Sequence, residues 1–215
     1  MKTIIQFDLI SDIHLDFWVE YSSNLRKHNQ KVDKFIDLIL PNEPSEVLVI
    51  AGDLGHYNKQ NLIFLEKLKW YDFQYGINQL DLDMDKIYDH WKSISNDSVL
   101  IEGLPRLVET MYAEELTKLK NVLHRSDVIV THISPDWSKV PLSDINDISN
   151  SFYYFNGREL LSKLNKKVWC SGHVHRREDY IIEGCRLVNA SLGYPDENGN
   201  IPKKIMKVIH EESYI

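Results

Sequence analysis

The chain has 215 residues, 43% hydrophobic and 27% charged, the balance of a globular protein long enough to bury a core without staples. Lysine and arginine total 25 against 32 acidic residues, a net charge of −7 that excludes broad electrostatic binding to nucleic acid or to an anionic membrane surface. Two cysteines, Cys170 and Cys185, are too few for a disulfide scaffold, and no apolar run is long enough to span a bilayer; with no signal-peptide core at the start, the expected location is the cytoplasm.

In chain order, Thr3 to Ile10 is β-branched and apolar and stops at Ser11-Asp12, the pattern of a buried strand. Lys31 to Leu40 places Val32, Phe35, Ile36 and Ile39 at helical spacing before Pro41. Glu46 to Ala51 is a second buried strand, running into Gly52-Asp53, and Asn61 to Leu68 returns to helical spacing. Strand, helix, strand, helix predicts a parallel βαβ unit. From Trp70 to about Ile101 the pattern blurs. Trp70, Tyr71, Phe73 and Tyr75 read as core or as a covering flap, with a ring-stacking platform as the alternative, and Asp81 to Asp85 reads as a solvated turn. Ala113 to Leu123 is an amphipathic helix, Asp127 to Thr131 a strand ending at His132, Gly157 to Leu164 a helix, and Lys167 to Ser171 a strand entering Gly172. Tyr180 to Ile182 and Arg186 to Asn189 flank Glu183-Gly184 as a hairpin, and Ile205 to Ile209 is a last strand. One α/β domain over residues 1–215 is expected.

The chemistry gathers at strand ends: Asp12 and His14, then Asp53, then His132, then His173 and His175. Ligands of open α/β sheets collect there. Taken singly, Asp12 also suits a turn cap, Gly-Asp is ordinary turn chemistry, and a strand-end histidine is commonly a hydrogen-bonded structural residue. Gly172-His173-Val174-His175 is more specific: with nine glycines and nine histidines it arises by chance roughly 0.016 times in such a chain. Two carboxylates and four imidazoles exceed what one tetrahedral ion needs and suit two ions roughly 3.5–4 Å apart.

Ser11-Asp12-Ile13-His14, Ala51-Gly52-Asp53, Thr131-His132, Ser171-Gly172-His173-Val174-His175 and Val188-Asn189-Ala190-Ser191-Leu192-Gly193 resemble, in order, the calcineurin-like metallophosphoesterase family. The resemblance implies a four-layer α/β/β/α sandwich with mixed sheets. It implies a metal-dependent phosphatase or phosphodiesterase, acting through a dinuclear centre and metal-activated water on a phosphomono- or diester. By that likeness Asp12, His14 and His175 hold the first metal, His132 and His173 the second, and Asp53 bridges. The cofactors implied are two divalent transition ions, Mn²⁺ foremost, with Fe, Zn or Ni as alternatives. Against two carboxylates these ions leave a local charge of about +2, enough to attract a phosphate to an acidic chain. Arg176 is a candidate phosphate clamp, with pairing to Glu178 or Asp179 as the plain alternative.

One family motif, Gly-Asn-His, has no counterpart between Asp53 and His132. Asn58 comes too soon, and Gly76-Ile77-Asn78 lacks the histidine. A missing segment around Lys69 and Trp70 accounts for this; His56 and His90 are candidate substitutes for the acid of the leaving group, with surface or loop histidines as the simpler reading, so the catalytic acid is left unassigned. The rival expectation is a catalytically impaired binding or scaffold module of the same fold.

Overall fold

Strand β1 (Lys2–Ser11) runs through the middle of a three-stranded sheet, between β2 (Leu48–Ala51), parallel to it, and β7 (Met206–Ser213), antiparallel. The computed structural model that defines this architecture describes residues 2–20, 25–39, 41, 43, 45–53, 72–95, 104–198 and 205–213. The expected helix Asn61–Leu68, together with His56, Asn58, the Lys69–Trp70 junction and Tyr71, lies outside the described residues. The parallel pairing of β1 with β2, Leu9 beside Val49 and Ser11 beside Ala51, is the relation that the strand–helix–strand pattern predicts. A second sheet has the order β3 (Val128–Val130), β4 (Val168–Ser171), β6 (Cys185–Asn189), β5 (Glu178–Ile182). Strands β3, β4 and β6 are mutually parallel, and β5 closes the hairpin with β6 through Glu183-Gly184. Both sheets are therefore mixed. Glu183 and Gly184 both take positive φ, the conformation a two-residue hairpin turn needs.

Side-chain alternation along the strands distributes the core (successive residues face opposite sides of a sheet). Phe7 and Leu9 of β1 meet Val168 and Cys170 of β4 and Val188 of β6 in one apolar cluster, together with Ala51, Ala190 and Val208. Ile10, one residue out of phase, turns to the other side and packs with Phe35 and Ile39 of helix α2 (Leu25–Ile39). Trp169 and Leu187 likewise turn from the first cluster toward Leu119 of helix α5 (Leu104–Val122), with Leu160 and Leu161 of α7 (Arg158–Leu161). Buried polar groups on these faces are bonded: Trp169 Nε1 donates to Thr131 Oγ1 at 2.8 Å, and Asp8 accepts from the amide and hydroxyl of Ser45.

Several boundaries differ from the sequence-based expectation. Helices α2 and α5 begin at Leu25 and Leu104, well before Lys31 and Ala113: the first turns of α2 carry no apolar period, whereas Leu104, Leu107, Val108 and Met111 of α5 stand at a helical spacing that the sequence-based expectation passed over. The blurred stretch contains two helices, α3 (Gln74–Leu80) and α4 (Met84–Ile94), that share a small apolar cluster of Phe73, Ile87, Trp91 and Phe152. Phe73 and Tyr75 are buried at 1% exposure, core rather than a stacking platform. Asp81–Asp83 form the turn between the helices, and Asp83 caps α4 by accepting from the Lys86 amide at 2.8 Å. The helix expected over Gly157–Leu164 is the single turn α7, and three further single turns, α1 (Leu15–Trp18), α6 (Asn150–Tyr153) and α8 (Pro195–Asn198), were not expected. A four-residue helix has too few positions to show a period. No helix among the described residues is long and apolar enough to cross a membrane.

Candidate metal centre

Asp12 follows the last residue of β1 and is fully buried, with φ +46°. Its two oxygens are held by three donors: the Asp53 amide at 3.2 Å on Oδ1, and the His173 amide at 2.7 Å and Ser191 hydroxyl at 2.6 Å on Oδ2. These come from the loops after β2, β4 and β6, so the carboxylate ties the ends of four strands together. Two glycines make its approach possible. A Cβ on Gly52, already at φ +106°, would lie 2.2 Å from Asp12 Oδ1, and one on Gly172 would lie 2.5 Å from Oδ2. The Gly-Asp and Gly-His signatures thus have a steric cause.

Burial and the nearby Asp53 charge push the Asp12 carboxyl up to about 6, against the opposing pull of His175 and the Ser191 bond. A buried carboxylate beside a second carboxylate is one that a cation would stabilise.

Around Asp12 the structure brings together donor atoms in two groups, each within 4.8 Å: Asp12, His14 and His175 in one, Asp12, Asp53 and His132 in the other. Asp12 belongs to both, whereas the family resemblance implies Asp53 as the bridge. His14 Nε2 and His175 Nε2 stand 3.0 Å apart, and two donors about 2.0–2.2 Å from a shared ion stand about 3–3.5 Å apart. His132 is 1% exposed, and its ring centroid lies 4.5 Å from that of His173 and its Nδ1 4.0 Å from Asp12 Oδ1. His173 falls outside both three-residue groups but adjoins the second through His132. Oxygen and imidazole nitrogen donors in this number fit first-row divalent ions, and the 3.0 Å imidazole pair is the observation that supports the fit.

The sequence-predicted residues outside this cluster are placed as follows. Arg176 donates Nε to Glu178 at 2.6 Å and Nη2 to the Lys139 carbonyl and the Tyr154 hydroxyl, so the pairing with Glu178 is present. His90, on α4, lies against Ser149 and Phe152 rather than in either candidate ligand group. Cys170 is a buried residue of the inter-sheet core.

Several contributing residues carry no sequence signal. The Tyr194 ring stacks on His14 at 4.7 Å and meets His175 edge-on at 4.9 Å. Tyr153 of α6 abuts His173 at 5.1 Å. Glu197 of α8 accepts from His175 Nδ1 at 2.7 Å. Asn189 and Ser191 were in the recognised segment without a role. Asn189 Nδ2 donates to the Val174 carbonyl at 2.8 Å, and its Oδ1 accepts from the Ser191 amide at 2.9 Å, fixing the Gly-His-x-His loop against the segment after β6.

The mixed two-sheet α/β scaffold is a fold shared with a solved hydrolase. That structure is the phosphopantetheinyl hydrolase PptH of Mycobacterium tuberculosis, which superposes with a TM-score of 0.60 and 12% identity over 94% of this chain and 95% of that one. At such identity the likeness is one of fold. No protein-family model and no curated protein matches the sequence.

Proposed function

We propose that this protein is a metal-dependent phosphoesterase of the calcineurin-like type, one domain over residues 1–215, hydrolysing a phosphomono- or diester. The observation that carries the reading is the convergence on Asp12 of His14, His175, Asp53 and His132, residues from four separate strand ends. The expected α/β/β/α layering is supported by the clusters that pack the sheets on each other and each sheet on helices. Asp12, His14 and His175 would hold one divalent ion, and Asp53, His132 and His173 a second, with Asp12 or Asp53 shared. Mn²⁺ is the foremost candidate, with Fe, Zn and Ni as alternatives, since Asp/His sets accept several first-row ions. When bound, such ions supply an acidified water and positive charge at the phosphoryl oxygens.

The chain's own part is positioning. The Asp53 and His173 amides and the Ser191 hydroxyl hold the Asp12 oxygens in place before any ion arrives, so little reorganisation is needed on binding. Arg176, directly after His175, would have to exchange Glu178 to clamp a phosphate.

The rival reading, a binding or scaffold module with little turnover, is favoured by the absent Gly-Asn-His motif and by the placement of His90 away from the ligands. Losing a general acid typically costs about 10²–10⁴-fold in rate, least for good leaving groups. The test is metal analysis together with hydrolysis of a phosphoester panel that includes bis(4-nitrophenyl) phosphate and phosphopantetheinyl esters. The enzyme reading expects about two ions per chain and hydrolysis lost in His175→Ala. Full activity after metal stripping refutes it, and metal uptake without turnover on any ester selects the rival.

A further inference from the structure

Glu197 stands outside every recognised motif, 22 residues beyond His175. Its Oε2 accepts from His175 Nδ1 at 2.7 Å and from the Tyr194 amide at 2.7 Å. The second bond fixes the carboxylate at the start of α8. Tyr194, between the two bonded residues, covers both His14 and His175 with its ring. The short segment Gly193–Asn198 therefore grips both imidazoles of one candidate ligand group.

A carboxylate only accepts hydrogen bonds, so the proton of the His175 ring resides on Nδ1, and Nε2 presents its lone pair toward His14 Nε2, 3.0 Å away. Carboxylate partners of this kind orient ligating histidines and raise their basicity. We propose that Glu197 is a positioning residue for the metal centre, fixing the tautomer and ring orientation of His175 so that Nε2 serves as ligand to the ion held with Asp12 and His14. The proposal rests on the ligand reading given under Proposed function and adds to it a selective effect on one of two ions.

Mn²⁺ titration of the full-length protein, followed by calorimetry, tests the selectivity. Glu197→Ala weakens one of the two binding steps by about 10–100-fold and leaves the other within twofold. Glu197→Gln, which keeps an acceptor oxygen, falls between wild type and alanine. Long-range ¹H–¹⁵N spectra of the metal-free protein give the second readout: His175 is the Nδ1–H tautomer in wild type and loses that preference in Glu197→Ala. Unchanged binding steps in Glu197→Ala, or an equal weakening of both, overturn the proposal. If wild type binds no Mn²⁺ yet shows the Nδ1–H tautomer, the ligand reading itself fails, and the affinity effect falls with it.

Discussion

At the scale of single residues, Asp12 has the most constrained surroundings, and its two glycine neighbours give the most direct test. Gly172→Ala would drive a methyl group to 2.5 Å from Asp12 Oδ2 and 2.7 Å from the Ala51 carbonyl, and neither can retreat without breaking bonds to β2 or to the His173 amide. The expected outcome is a loss of about 1–3 kcal/mol in urea denaturation and metal affinity reduced at least tenfold by calorimetry. Arg176→Ala, by contrast, removes the bonds to Glu178, Lys139 and Tyr154, so a drop in thermal stability with little change in KM is the expected result. A second site carries a pH dependence. Asp72 is buried and accepts from the Gln74 and Asn156 amides and the Tyr112 side chain; its burial outweighs these bonds and holds its carboxyl above the usual range. The native state therefore keeps that proton to higher pH than the unfolded chain, so this group's contribution to stability falls as pH rises from about 3.9 through the raised value. Tyr112→Phe deletes a donor to the charged form and raises the carboxyl further. Its cost is about 1–3 kcal/mol at pH 7 and shrinks toward pH 4, as urea denaturation at the two values will show. The candidate ligands were legible because their spacing sits beside steric requirements, Gly52 before Asp53 and Gly172 before His173. Glu197 and Tyr194 were not, since no fixed spacing ties them to a ligand; a chain reversal after Gly193, at φ +68°, brings them back onto it.

At the scale of elements, strands were legible and helix starts were not. Strands β1, β2, β3 and β4 are short runs of apolar or β-branched residues bounded by turn residues, and the chain has few competing ways to place them. The first residues of α2, Leu-Arg-Lys-His-Asn-Gln, have no apolar period, so the spacing of Val32, Phe35, Ile36 and Ile39 announces only the later part of that helix. Helices α3, α4 and α6 were hidden for another reason: their apolar residues serve a small cluster of their own rather than either sheet. Within that cluster Gly76 of α3 lies so close to its neighbours that a Cβ would stand 2.6 Å from both Ile87 Cδ1 and Ser151 Oγ. Alanine would otherwise improve the helix by about 1 kcal/mol. Here the clash wins, and Gly76→Ala is expected to destabilise the protein by about 1–3 kcal/mol. Because Ser151 is two residues from Tyr153, which abuts His173, the same substitution shifts a residue at the metal centre. Hydrogen exchange should show amides of α3, α4 and α6 opening together in the variant, ahead of β1 and β4.

At the scale of the whole molecule, the candidate centre is where the two sheets are joined. The Leu192 amide donates to the Ser11 carbonyl at 2.8 Å, the Asp12 amide to Ala51, and the Gly172 amide to His132, so backbone from both sheets meets around Asp12. Strand order could not be read from the sequence, because parallel strands β3, β4 and β6 are paired by packing and not by turns. Their common polarity was nevertheless implied, since all carry polar residues at the same end. An ion bound here would lie between elements that separate when the chain unfolds, and the unfolded chain cannot hold six donors from positions 12 to 175 in one place. Binding to the native state alone stabilises by about 2.7 kcal/mol at a metal concentration 100 times Kd. For a chain of this size that is a rise in Tm of roughly 5–10 °C. Calorimetry with saturating Mn²⁺ and after chelation should show this difference in wild type and a smaller one in His175→Ala, which keeps the donors around His132 but leaves the first group only Asp12 and His14. Equal Tm values with and without metal in wild type would mean that the strand ends are closed by hydrogen bonds alone, and that Asp12 is a structural carboxylate and not a ligand.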